Sequence, residues 1–178
     1  MGLHTVTARC QREETLRNGR KILVVDTPGF FGTRCSWQET AAEVKKCAQL
    51  CLPGPHAIIH VVKIGVFTGE EKEVIRFIKA IFQSKAKAYL IILFTRKEDL
   101  EGKSLESFVS AQGEELRKYI AECGNRCLAF SNKAQEAERE AQVEKLIQMI
   151  DDLVEKNQDA PYYSEGTQKE SSWRFSLF

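Results

Sequence analysis

A chain of 178 residues, 43% of them hydrophobic, suits one domain and can bury a core, which excludes disorder throughout. Twenty-six basic residues against 25 acidic ones leave a formal charge of +1, so no global field favours nucleic acid or an anionic membrane, and any anion site must be local. No stretch approaches the eighteen or so apolar residues of a membrane span, and the first residues lack the apolar core of a signal peptide.

These bounds predict a soluble, cytoplasmic protein with no nucleic-acid partner. Met1-Gly2 opens a stretch similar to a myristoylation signal, but Val6 stands where Ser or Thr is required. Residues 5–14 and 20–26 read as strands around Asn18-Gly19, a dipeptide suited to the positive φ angles of a tight hairpin turn, and are expected to pair antiparallel. Over residues 38–52, Ala41, Val44, Ala48 and Cys51 recur at helical spacing, and Pro53-Gly54-Pro55 ends the helix. "HAIIHVV", residues 56–62, is a continuous apolar strand of the kind buried on both faces.

Thr68 and Glu71 have the spacing of a capping box and open a helix whose Val74, Ile75, Ile78, Ile81 and Phe82 share a face. "AYLIILFT", residues 88–95, is a second buried strand, followed by one helix over residues 105–123 that stops at Gly124. "RCLAFS", residues 126–131, is a short strand, and a charged helix covers residues 136–157. Strand and helix alternate, which predicts an α/β fold with a mostly parallel sheet and helices on both faces. Residues 1–157 form the domain; the tail from Gln158, rich in Ser, Gln, Glu and Lys, is expected to be disordered. Its end, "WRFSLF", reads as a loose terminus in preference to a segment that docks on a partner or a membrane surface. Of the six cysteines, Cys47 and Cys51 and likewise Cys123 and Cys127 are four apart with no histidine near, so reduced thiols are expected and not a zinc site.

In such sheets ligands bind beyond the carboxyl ends of the strands, and the unusual residues fall there. Asp26-Thr27-Pro28-Gly29 ends the apolar run "VVDTPGFFG". An Asp there can face a magnesium ion while the Gly amide approaches a phosphate, although an ordinary strand-to-loop turn has the same composition. "TRKEDL", residues 95–100, places Asp99 where its carboxylate can accept two hydrogen bonds from guanine, a pair that adenine does not offer, with the stem of Lys97 laid over the nucleotide. A solvated charged loop is the plainer alternative. Ser131-Asn132-Lys133 ends the last strand and offers small polar groups to a base.

The order of these three groups is that of a guanine-nucleotide G domain. "DTPGFFGT", "GPHAIIHVVKIGVFTGEEK", "LIILFTRKEDL" and "RCLAFSNKA" resemble the immunity-associated GTPases, the GIMAP or IAN family, over residues 5–163. The resemblance implies a P-loop NTPase-like G domain of the TRAFAC class that binds GTP or GDP with magnesium. It implies that Asp26 acts on magnesium through water, that Gly29 offers its amide to the γ-phosphate, and that Thr7 closes on magnesium from the first switch. Arg96, Lys97 and Asp99 are similar to the guanine motif with Arg in place of the commoner Asn; Ser131 and Asn132 fall on the fifth motif, where the family usually has Asn-Asn. Lys63 and Val66 also depart from the family box, and no glutamine follows "DTPG" to orient an attacking water, so hydrolysis is expected to be slow at best. Homo- or hetero-oligomers with family members, and peripheral association with intracellular membranes, are further implications of the resemblance.

One part of that pattern does not occur: these residues contain no GxxxxGK[S/T] phosphate loop. The expectation is an incomplete G domain, shortened at the N-terminus, that lacks the first strand, the phosphate loop and the first helix. In a G domain that first strand lies between the strands matching residues 21–26 and 56–62. Here those two must pair directly, accept a strand from elsewhere, or expose unpaired edges. Two functions follow: a guanine-nucleotide-binding family member with impaired binding and negligible GTPase activity, or a non-enzymatic interaction module that binds other family members.

Overall fold

The computed structural model describes residues 10–29, 37–82, 84–164 and 174–177. Strands β1 (Gln11–Arg17) and β2 (Arg20–Asp26) form the expected antiparallel hairpin, in register from Arg17↔Arg20 to Gln11↔Asp26. Asn18 and Gly19 take φ of 50° and 75°, the paired left-handed geometry that matches a turn to the strands' own twist. β1 is the sheet edge, and its charged, exposed face discourages pairing with other chains. Arg17 reaches Glu140 at 2.7 Å and Glu144 at 3.2 Å, and Arg20 reaches Asp151 at 2.7 Å, so the hairpin turn is tied to the last helix.

The remaining elements follow in the expected order: α1 (Trp37–Leu50), β3 (Ala57–Lys63), α2 (Gly69–Phe82), β4 (Leu90–Thr95), β5 (Cys127–Phe130) and α5 (Glu136–Lys156). Consecutive residues of β3 and β4 are buried, so side chains on both faces of the central sheet are covered. The capping box is made: the Thr68 amide donates to Glu71 Oε2 at 2.9 Å, and the Glu70 amide to Thr68 Oγ1 at 3.3 Å. Val74, Ile75, Phe77, Ile78, Ile81 and Phe82 of α2 are buried against the sheet core.

Four expectations are corrected. Residues 105–123 do not form one helix but two, α3 (Leu105–Ser110) and α4 (Glu114–Glu122). Gly113, extended at the α4 N-cap, separates them: α3 packs Leu105, Phe108 and Val109 partly against the core, whereas α4 buries Leu116, Tyr119 and Ile120. The strand expected from residue 88 begins only at Leu90, because Ala88 closes a 3-10 turn over Ser84–Ala88. Cys10 and Cys47 form a disulfide, Cα atoms 5.6 Å apart, that ties the start of the hairpin to α1, against the expectation of reduced thiols. Among the described residues, Cys51, Cys123 and Cys127 take no part in a disulfide.

The fourth correction concerns the tail. Tyr162 and Tyr163 are buried: the Tyr163 amide donates to the Pro55 carbonyl at 2.9 Å, and its hydroxyl to the Phe82 carbonyl at 2.8 Å. Further on, Arg174–Leu177 forms β6, giving the order β1-β2-β6-β3-β4-β5. β6 runs parallel to both neighbours, Val24 opposite Phe175 on one side and Ile58 opposite Ser176 on the other. Of the three outcomes open to β2 and β3, the fold takes the second: a strand from elsewhere in the chain lies between them. The physical reason is that buried backbone amides and carbonyls need partners, and a polar composition does not prevent four residues from supplying them.

Candidate functional site

The β-strand ends bring the sequence-predicted groups to one edge of the sheet. Asp26 is the last residue of β2 and pairs in register with Leu177, the last of β6. Thr27 behind it is buried, and Gly29 is exposed. Thr7 lies outside the described residues. β6 and β3 separate Asp26 from the end of β4, so the two ends of the candidate site stand roughly 14 Å apart at about 4.8 Å per strand, the scale of an extended nucleotide.

After β4 the chain turns at Arg96, whose φ of 63° and ψ of 44° are left-handed, into a 3-10 turn over Lys97–Leu100. This turn is anchored by buried Leu100 and closed by the Asp99 amide donating to the Arg96 carbonyl at 2.8 Å. The Asp99 carboxylate accepts from Arg96 Nη2 at 2.8 Å, and Lys97 Nζ faces Glu138 at 3.5 Å on α5. Asp99 and Lys97 therefore each have a charged partner within the protein.

The loop after β5 is held by two side chains that sequence reasoning missed. The Ser131 amide donates to Gln142 Oε1 at 2.6 Å, and the Asn132 amide to Glu98 Oε2 at 3.2 Å. Gln142 is a buried polar residue on α5, and Glu98 lies between Lys97 and Asp99, so it joins the loop after β4 to the loop after β5. Its own backbone amide, the Ser131 hydroxyl, the Asn132 amide and nearby Lys133 hold the Glu98 carboxyl below its usual range. A glutamate in a charged loop and a glutamine on a charged helix carry no sequence signal; only the fold places them together. Lys63 ends β3, and Val66 beyond it is 86% exposed.

The geometry assembles two adjacent loops, one bearing Arg96, Lys97 and Asp99 and one bearing Ser131 and Asn132, across from an Asp-bearing strand end. A family model described as the AIG1 family matches residues 1–175. The chain belongs to the AIG1 family. Its similarity extends to human GTPase IMAP family member 8, 32% identical over 160 residues, which are 89% of this chain and 24% of that protein. The mouse protein of the same name is 34% identical over 170 residues, 95% of this chain and 24% of that protein. Immune-associated nucleotide-binding protein 9 of Arabidopsis thaliana is 33% identical over 165 residues, 90% of this chain and 48% of that protein. This chain thus spans about a quarter to a half of the length of these relatives. The mostly parallel α/β sheet agrees with the P-loop NTPase-like fold expected of an AIG1-family G domain. Among the described residues, no helix is long and apolar enough to cross a membrane.

Proposed function

We propose that this AIG1-family chain recognises a guanine nucleotide mainly through its base, with Asp99 as the guanine-reading carboxylate and Ser131 and Asn132 closing on the base from the neighbouring strand end. The observation that carries the reading is the Glu98–Asn132 hydrogen bond, which sets the two loops side by side with Asp99 at the protein surface. The carboxylate of Asp99 is already turned to a planar donor, the Arg96 guanidinium, and guanine presents the same kind of paired N–H edge. Lys97 leaves Glu138 to lie along the nucleotide.

At the other end, Asp26 acts on magnesium and Gly29 offers its amide to phosphate. There Asp26 and, by the family resemblance, Thr7 would hold the ion, with the nucleotide's own phosphates as its remaining partners. That regime suits magnesium, which commonly takes one or two carboxylates and keeps phosphate and water ligands. These residues hold no phosphate loop, and each charge-assisted phosphate contact forgone costs about 1.5–3 kcal/mol. Binding by this chain is therefore weak and turnover negligible. The chain works in the cytoplasm, associates peripherally with intracellular membranes, and assembles with itself or with other family members.

Titration of the purified chain with fluorescent GTP and GDP, with and without magnesium and beside Asp99→Ala, tests the reading. Binding lost in Asp99→Ala supports it. A folded protein that binds neither nucleotide overturns it in favour of a non-enzymatic interaction module.

A further inference from the structure

β6 is unusual in how it is held. Its four residues lie at the centre of the sheet, yet the main contacts of the strand are with β2 and β3. Both walls of the slot belong to the core: Val25, Ile58 and Ile59 are each at most 1% exposed. With β6 removed, two facing rows of backbone amides and carbonyls lose their partners, and β2 and β3 stand about 9.6 Å apart, twice the pairing distance. The slot must be filled for the domain to fold, but nothing in a backbone ladder requires the filling strand to come from the same molecule.

The connection allows a different source. The last docked residues before β6 are fixed at the foot of β3, where Tyr163 bonds to Pro55, and β6 enters beside the same end, with Phe175 opposite Ala57. The gap to be crossed is short. Residues 165–173 nevertheless separate the two docked segments, and nine extended residues reach about 30 Å. That length exceeds what closing the chain's own slot requires and is enough to deliver the strand to a neighbouring molecule.

We propose that the slot between β2 and β3 is an exchangeable strand-acceptor site, and that a second copy of this chain supplies Arg174–Leu177 to it, giving a strand-exchanged dimer. The exchange reproduces every register pair of the closed monomer, Leu23↔Arg174 to Asp26↔Leu177 and Ala57↔Phe175 to Ile59↔Leu177, and needs no new surface. Only the ownership of the strand changes, which is the condition under which identical elements swap at low energetic cost. The exchange also places the end of a partner's strand beside Asp26, so the two copies meet at the same sheet edge as the candidate site.

The experiment mixes two full-length variants, one Val24→Cys and one Phe175→Cys, under mild oxidation. These positions are directly opposed, within the span a disulfide bridges. Exchange gives a covalent heterodimer on a non-reducing gel, formed at least several-fold more than when either variant is mixed with the unsubstituted chain. The double variant Val24→Cys/Phe175→Cys gives both internally bridged monomer and bridged dimer, with the dimer rising with protein concentration. Internal bridging of the double variant with no heterodimer in the mixture overturns the exchange. Failure of the double variant to bridge at all overturns the assignment of Arg174–Leu177 as the occupant.

Discussion

The backbone amide of Asn132 donates to the carboxylate of Glu98 across 3.2 Å, and this bond joins the loop after β4 to the loop after β5. Glu98→Ala removes the acceptor and lets the two loops separate. The expected result is a several-fold loss of guanine-nucleotide affinity with the melting midpoint nearly unchanged, because the group is at the surface. Glu98→Gln keeps an acceptor and retains most of the affinity. Since the folded carboxyl titrates below its usual range, the bond persists at neutral pH and is lost as pH falls through that lowered value. Equal affinities for Glu98→Ala and the parent, read by fluorescence titration, would remove Glu98 from the site.

Arg96 holds a left-handed backbone, a conformation in which Asn is enriched over other side chains, and it pairs with Asp99 at 2.8 Å. Arg96→Asn relieves the backbone and removes a partly exposed ion pair worth about 0–1 kcal/mol. Stability measured by urea denaturation should stay within about 1 kcal/mol of the parent. Guanine-nucleotide affinity should rise, because Asp99 no longer has to leave Arg96. A fall in affinity would show that Arg96 contacts the ligand and does not compete with it.

His60 is buried with its Nδ1 3.1 Å from the Tyr119 hydroxyl, and burial pushes its pKa down to about 4. The unfolded chain binds this proton near pH 6.5, so the contribution is fully present above 6.5 and is lost as pH falls from there to about 4. The loss amounts to roughly 3 kcal/mol. In His60→Phe the slope of stability against pH between 6.5 and 4.5 should flatten. Parallel curves for the two proteins, from denaturation at a series of pH values, would refute the assignment.

A side chain at Gly54 would collide with the backbone carbonyl of Tyr163, which rests on that glycine between two prolines. Gly54→Ala should therefore displace the Tyr162–Tyr163 anchor and destabilise the chain by about 2 kcal/mol or more. Tyr163→Phe, which loses only the hydroxyl's bond to the Phe82 carbonyl, should cost about 1 kcal/mol. If Gly54→Ala melts with the parent, the tail does not dock there.

Much of this was legible in the sequence because local rules act over a few residues. The hairpin at Asn18-Gly19, the capping box at Thr68 and Glu71, and the apolar runs of β3 and β4 each carry a short-range signal that the tertiary structure left in place. The same holds for Asp26, Arg96, Lys97, Asp99, Ser131 and Asn132, which sit at strand ends because an apolar run stops where burial stops. Tertiary structure decided what depends on contacts between distant residues. Gln142 and Glu98 gained partners through the packing of α5 and β5, and Cys10 met Cys47 through the hairpin's position against α1. The segment "WRFSLF" reads as a tail by composition, but its Arg174–Leu177 stretch is more stable between the otherwise unpaired edges of β2 and β3 than outside the sheet. Composition determines whether a segment can build a structure alone; the vacancy left by its neighbours determines whether it must join one.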